Sequence, residues 1–165
     1  MHKAGLVVFA FGCPSTIRSN VMLMDGAIAW HAQYGGPIYT QEDIDLPNIG
    51  QFDVKYIGQL PDQPPSTLRI AREAIVWARN CCLEELHIRA AAPHMSRCLR
   101  DLAIAKHEQR SLVSLVESSY PDRIPFDDWF CPDSTQPRVR TFHDWEGREK
   151  ILRVMPVWLY KLIAS

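Results

Sequence analysis

The chain has 165 residues, of which 47% are hydrophobic and 22% are charged, and its formal net charge is -1. This length predicts a single domain over residues 1–165, and the composition is ordinary for a water-soluble globular protein. The balanced charge excludes the basic surface that nucleic-acid binding needs, and no basic cluster favours a membrane surface. No signal-peptide pattern and no run of ~20 apolar residues is present, so we expect a cytoplasmic protein.

The cysteines are five in number and share no repeated spacing. Cys81 and Cys82 are adjacent, and a disulfide between them would be strained. A reducing compartment therefore fits best, with the cysteines acting as small buried hydrophobic residues. The six histidines show no zinc-binding spacing with cysteines or acidic residues, so we assign no metal.

Apolar runs alternate with helical patterns along the first two-thirds of the chain. Continuous apolar runs are typical of strands buried on both faces of a parallel sheet. We expect Ser15 or Ser19 to cap the first helix, and Ser66 or Thr67 to cap the second. The predicted strands are 4–11, 37–40, 54–58, 86–89 and 112–116, and the predicted helices are 20–34, 67–80 and 95–109. This order predicts a three-layer, Rossmann-like α/β domain with a mostly parallel sheet of about five strands.

The segment 117–147 differs from the rest because it is rich in proline and aspartate and has little periodicity. A loop of this length in a compact domain usually has a function or wraps the surface, so we expect a wall or lid. A final helix is predicted over 148–163, kinked at Pro156. Its expected inward residues are Ile151, Leu152, Met155, Trp158, Leu159 and Leu162.

The stretch from Leu86 to Arg97 is the best candidate for a site, because a strand turns directly into a helix there. In open α/β sheets ligands bind at this end of the strands, and a helix N-terminus attracts anions. His94 is the candidate acid or base, and Arg97 is suited to a carboxylate or phosphate. The alternative is structural: His94 would cap the helix and Arg97 would pair with a surface acid.

Other candidate ligand-binding residues follow the first three strands. In the first turn, Gly12, Ser15 and Arg18 could hold an anion. The equal alternative is a structural turn closed by small residues. The sequence of this turn matches neither the dinucleotide-binding pattern nor the P-loop pattern. Thr40 ends the second strand, at a position where a ribose or a metal ion could bind. Ser66 and Thr67 could also face the ligand. Asp127 and Asp128 could bind a cation, or could simply be solvated loop residues.

The turn 91–97, with His-Met-Ser-Arg at its end, resembles the signature of the YdcF/SanA/ElyC-like bacterial family of unknown function. The start of the second helix at 66–71 and the first strand with its glycine turn are similar to that family too, so the resemblance covers about residues 4–116. It departs at Arg69-Ile70, where the family has Glu-Asn, and at 40–42, where the family has Ser-Gly-Gly.

The resemblance implies a Rossmann-like fold with a pocket at the carboxyl ends of the strands. One branch of the family binds S-adenosylmethionine, and the branches tied to the cell envelope carry a membrane anchor. This chain is more similar to the soluble branch, so S-adenosylmethionine is the cofactor that the resemblance implies. The family has no securely assigned reaction, and the resemblance implies none here.

Three hypotheses follow. The first is a small-molecule-binding domain for a nucleotide-like or other anionic ligand, whether an enzyme or not. The second is a non-catalytic interaction module with a decayed pocket and an aromatic partner or homodimer surface. The third is a hydrolase that uses Cys13 as its nucleophile, which requires an activated thiolate.

Overall fold

The computed structural model describes residues 3–47, 53–58, 65–118 and 124–164. Five strands form one parallel sheet: β1 (Ala4–Val8), β2 (Ile38–Thr40), β3 (Val54–Tyr56), β4 (Glu85–Arg89) and β5 (Ser114–Glu117). Their order across the sheet is β3-β2-β1-β4-β5. The predicted α/β class and the parallel sheet of five strands are confirmed.

Helices cover both faces of the sheet. α1 (Arg18–Tyr34) lies on one face, and α2 (Thr67–Asn80) and α3 (Ala92–Glu108) lie on the other. Alternate residues of β1 supply the two cores: Leu6 and Val8 pack on the α1 side, while Val7 packs on the α2–α3 side. All three are fully buried, which explains why β1 is a continuous apolar run rather than an alternating one.

The two predicted helix caps had different outcomes. Ser66 caps α2, because its hydroxyl oxygen accepts a hydrogen bond from the backbone N–H of Arg69 at 3.1 Å, so that prediction is confirmed. The prediction of a serine cap on α1 is wrong. Ile17 occupies the cap position with no side-chain hydrogen bond, and the hydroxyl of Ser19 instead donates to the carbonyl of Phe11 at 2.9 Å.

The C-terminal part has more helix than predicted. Two short 3-10 helices, Phe126–Trp129 and Pro137–Val139, are followed by α4 (Phe142–Val154) and α5 (Val157–Ala164). The predicted kink at Pro156 is a complete break. Met155 has φ -69° and ψ 132°, the extended conformation that a following proline imposes. α4 starts six residues before the predicted helix because Thr141 caps it by accepting from the N–H of Asp144.

The predicted inward face of this helix is only partly correct. Leu152 and Tyr160 are buried against α2 and α3, whereas Ile151, Trp158 and Leu162 are 60–73% exposed. The break at Pro156 turns α5 away from the axis of α4, so a single 3.6-residue periodicity does not describe both helices. In the parts of the chain that the structure describes, no helix has both the length and the apolarity needed to cross a bilayer.

Candidate functional site

A cavity of about 590 Å³ lies at the carboxyl ends of the strands. The connection from β1 leads to one side of the sheet and the connection from β4 leads to the other, so this is the topological switch point where ligands bind in open α/β sheets. Side chains after β1, β2 and β4 and the start of α2 form one side of the cavity. The opposite wall comes from residues 135–163, including Gln136, Arg138, Trp145 and Arg148.

Five of the eight predicted ligand-binding residues line the cavity: Gly12, Ser66, Thr67, His94 and Arg97. Ser15, Arg18 and Thr40 do not. Arg18 forms an ion pair with Asp128 at 3.0 Å. The partner of Asp128, a predicted cation ligand, is therefore an arginine side chain. Thr40 is fully buried, and its hydroxyl donates to the carbonyl of Val8 at 3.1 Å. Arg18 therefore lies in a surface ion pair and Thr40 in the core of the sheet, and neither side chain lines the cavity.

The turn after β1 is fixed by internal hydrogen bonds. Asn20 accepts from the N–H of Phe11 at 2.9 Å and donates to the carbonyl of Gly12 at 3.0 Å. The N–H of Ala10 donates to Gln41 at 2.7 Å, and that of Cys13 to Ser134 at 3.3 Å. Because these backbone donors are already satisfied, the geometry favours the alternative of a closed structural turn over an anion-binding loop.

Gly12 is required by this turn for a geometric reason. Its φ of +102° lies in the region that side chains disfavour. A Cβ added there would lie 2.7 Å from Cγ2 of Val139 and 2.8 Å from Oγ of Ser134. The turn therefore packs directly against the segment 134–139, and this contact places Gln136 and Arg138 beside the cavity.

His94 reaches the cavity from the first turn of α3. Its ring is surrounded by Phe9, Phe11 and Trp145, with ring centroids 5.3–6.4 Å away. Burial, together with the positive charge of Arg97, lowers the pKa of His94 well below its ordinary value. At neutral pH the imidazole is therefore uncharged. It does not cap the helix, because Ala91 holds that position.

The two ring nitrogens of His94 differ in environment. Nε2 lies 3.5 Å from the hydroxyl oxygen of Thr67, whereas the buried Nδ1 has no hydrogen-bond partner among the described residues. A ligand or water in the cavity would supply such an atom with a partner. An uncharged imidazole in this position can accept a hydrogen bond from a group in the cavity.

Arg97 is the second predicted site residue, and it is held by the opposite wall. Its Nη1 lies 3.2 Å from Oε2 of Glu149 on α4, and both side chains are about nine-tenths buried. Its guanidinium carbon is also 4.9 Å from the centre of the Trp145 ring, a cation–π contact. The partner of Arg97 is thus a buried acid, not the surface acid of the structural alternative.

Two further arginines, Arg138 and Arg148, line the same cavity and were not predicted. Partial burial and the positive charges of Arg138 and Arg97 lower the pKa of Arg148, which means that both arginines repel Arg148, while the carboxylate of Glu149 opposes this effect. The only sequence signal for these residues is that they lie in or next to the segment predicted as a wall. Nothing in their spacing indicated that both reach the site of His94.

The surroundings of Cys13 disfavour its use as a nucleophile. Burial, and the neighbouring Asp43 carboxylate, raise the pKa of Cys13 to about 11, although a hydrogen bond from Gln136 at 3.0 Å opposes this. A nucleophilic cysteine needs the opposite shift, because the thiolate is the reactive form.

Within residues 3–47, 53–58, 65–118 and 124–164, no group of three or more histidine, cysteine or acidic side chains is placed to hold a metal ion. In the comparisons with known proteins, no family model and no curated protein matches this chain.

Proposed function

We propose that this chain binds a small anionic molecule in the cavity at the carboxyl ends of the strands. The observation that carries the proposal is the convergence of Arg97, Arg138 and Arg148 on one cavity whose lining, in the described part of the chain, contains a single acidic residue, Asp43. Guanidinium groups that repel one another are stabilised by an anion between them. They also bind carboxylates and phosphates through paired hydrogen bonds.

The size and position of the cavity support a small-molecule ligand. A volume of about 590 Å³ lies within the ~300–1,000 Å³ of ordinary ligand pockets. The lining combines aromatic side chains such as Phe11 and Trp145 with a few polar groups, which is the usual composition of such sites. The resemblance to the YdcF/SanA/ElyC-like family supports a ligand site at the same edge of the sheet.

The charge of the lining favours a phosphorylated, nucleotide-like ligand over S-adenosylmethionine. S-adenosylmethionine has a sulfonium and an ammonium group against one carboxylate, so its net charge is positive. Three arginines would oppose it. If the protein is an enzyme, His94 is the acid–base candidate because its imidazole lies in the cavity lining, although its lowered pKa makes the ring a weak base at neutral pH.

The proposal is tested by thermal unfolding with phosphate, nucleotides, sugar phosphates and S-adenosylmethionine, using the wild type, Arg148→Gln and Lys150→Gln. Lys150 is an exposed cation on the same helix and outside the cavity lining, so it controls for net charge. A phosphorylated compound at about 100 times its dissociation constant should stabilise the wild type by ~2.7 kcal/mol. Lys150→Gln should respond equally, whereas Arg148→Gln should bind at least tenfold more weakly.

Two results would contradict the proposal. In one, no anionic compound raises the unfolding temperature of the well-folded wild type. In the other, Arg148→Gln and Lys150→Gln respond identically to the compound that binds, which would place the ligand elsewhere.

A second candidate function, self-association of two copies, is favoured by the apolar surface of α4 and α5. This C-terminal apolar surface consists of Ile151, Val154, Val157, Trp158, Leu162 and Ile163, each 48–83% exposed. Together they expose on the order of several hundred Å², a substantial part of the ~800 Å² that one partner contributes to a standard interface. Analytical ultracentrifugation should show a dimer that Trp158→Lys converts to monomer; a monomeric wild type at high concentration would exclude this function.

A further inference from the structure

We infer that the anionic group of the ligand is a single phosphate monoester, and that Glu149 sets this preference. The inference rests on the proposed function, since it concerns the same cavity. It goes further by naming the charge of the bound group and the residue that determines it.

Glu149 is the only acidic side chain in contact with an arginine of the cavity lining, among the contacts in the described residues. It is 4% exposed, and it bridges Arg97 at 3.2 Å and the exposed Arg153 at 3.9 Å. Desolvating a buried carboxylate costs free energy, which only pairing with a positive charge offsets. Here it cancels one of the three positive charges that face the cavity.

Arg138 and Arg148 then remain as the two cations of the lining that have no acidic side chain within ion-pair distance among the described residues, although the more distant Glu149 also attracts Arg148. A phosphate monoester at neutral pH has a charge of about −1.5 to −2, which matches them. A carboxylate would leave one cation without a partner. A diphosphate would bring extra negative charge towards Glu149 and would have to compete with it for Arg97.

The other side of the cavity disfavours a second anionic group on the same ligand. Asp43 lines the cavity after β2, close to Gln136 and Cys13. Its carboxylate would repel a second phosphate or carboxylate but would accept hydrogen bonds from hydroxyl groups. The chemistry of the lining thus fits a hydroxylated molecule with one terminal phosphate, which both a nucleoside monophosphate and a sugar phosphate provide.

Isothermal titration calorimetry at pH 7.5 and constant ionic strength tests the inference. The ligands are AMP, ADP, ribose 5-phosphate and the non-phosphorylated sugar ribose. The wild type should bind AMP at least fivefold more tightly than ADP and should not bind ribose. Equal affinity for AMP and ribose 5-phosphate would assign recognition to the sugar phosphate, while tighter binding of AMP would assign it to the nucleoside monophosphate.

Variants of the ion pair make the charge argument decisive. Glu149→Gln should shift the affinity ratio at least tenfold towards ADP, because the third arginine becomes available. Glu146→Gln removes an acid of the same helix that pairs with Lys150 outside the cavity, and it should leave the ratio unchanged. The double variant Arg97→Gln/Glu149→Gln restores two cations and should restore the preference for AMP.

The outcomes separate this inference from the proposed function. If no phosphorylated compound binds the wild type, both fail. If the compounds bind in an Arg148-dependent manner but the wild type prefers ADP, the inference is overturned and the proposed function stands. The inference is equally overturned if Glu149→Gln folds and keeps the wild-type ratio of AMP to ADP affinity. If that variant does not fold, the preference of the wild type and the ratio measured for the double variant still test the inference.

Discussion

Asp101 on α3 gives the stability of the protein a distinctive pH dependence. Its side chain is fully buried, and Oδ2 accepts a hydrogen bond of 2.6 Å from the hydroxyl of Tyr160 on α5. In the part of the chain that the structure describes, the other oxygen, Oδ1, has no hydrogen-bond partner. Burial raises the pKa of Asp101 to about 6, although the hydrogen bond from Tyr160 acts in the opposite direction.

The sign of the effect follows from this elevated pKa. Between pH 4 and pH 6 the folded protein keeps the proton on Asp101 while the unfolded chain, with a pKa of 3.8, has released it. The folded state therefore binds more protons, and the free energy of unfolding falls as the pH rises through this range. A difference of about two pKa units corresponds to ~3 kcal/mol, lost by pH 7.

The assay is urea unfolding of the wild type and Asp101→Asn at pH 4 and pH 7.5. Asparagine is neutral at both pH values and still accepts the hydrogen bond of Tyr160. The stability of the variant relative to the wild type should therefore increase by ~3 kcal/mol between the two pH values. A hydrogen bond with Arg72 lowers the pKa of Glu108 to about 2. Glu108 therefore gives the free energy of unfolding the opposite slope with pH, but it is present in both proteins.

Asp25→Asn is the matched control, because Asp25 lies in a helix but is exposed. Its stability relative to the wild type shows what the loss of one solvent-exposed carboxylate does at each pH. Parallel pH profiles for the wild type and Asp101→Asn would refute the reasoning, and so would a relative stability of the variant that decreases with pH.

Three further predictions concern the turn, the thiols and the core. Gly12→Ala should lower the free energy of unfolding by ~1–3 kcal/mol in urea titrations, because the added Cβ is strained at φ +102° and meets the segment 134–139; wild-type stability would contradict this. Iodoacetamide at pH 7.5 should alkylate Cys13 more slowly than the exposed Cys82, because burial raises the pKa of Cys13 to about 11. Mass spectrometry would quantify both rates. Trp129→Ala should lower the free energy of unfolding by ~3–5 kcal/mol and Trp158→Ala by far less, because the first side chain is 1% exposed and the second 67%. Equal losses of unfolding free energy would contradict the packing.

Much of the fold was predictable because local signals agreed with the global structure. The apolar run of β1 is buried on both faces, and the amphipathic pattern of α2 begins at a serine cap that the structure contains. The site around His94 followed from the topology, since parallel strands bring their carboxyl ends to one edge of the sheet. These predictions depend on short-range sequence patterns.

The C-terminal half of the site was not predictable in the same way. Arg138 and Arg148 reach the cavity through contacts between segments more than forty residues away from His94, such as the packing of Val139 on Gly12. The pairing of Arg97 with Glu149 likewise joins residues 52 positions apart. Long-range contacts of this kind leave no periodicity or motif, because neither partner constrains the residues next to it.

The role of residue 18 shows the opposite error. Arg18 follows the first turn in sequence and was predicted to bind an anion, but it is at the start of α1 and pairs with Asp128. Proximity in sequence to a strand end does not ensure proximity to the site. Helix α1 starts by pointing its first side chain towards the 3-10 helix at 126–129 rather than into the cavity.

The central claim is that the arginine-lined cavity is where an anion binds. The most direct measurement is a titration of the ¹⁵N-labelled protein with AMP, followed by amide chemical shifts. Saturable changes should be largest at Gly12, Thr67 and Gln136 around the cavity, and should be absent at Ser111 and Ser114 at the opposite end of the sheet. Changes centred on Ser111 and Ser114, or none at all at millimolar AMP, would contradict the account.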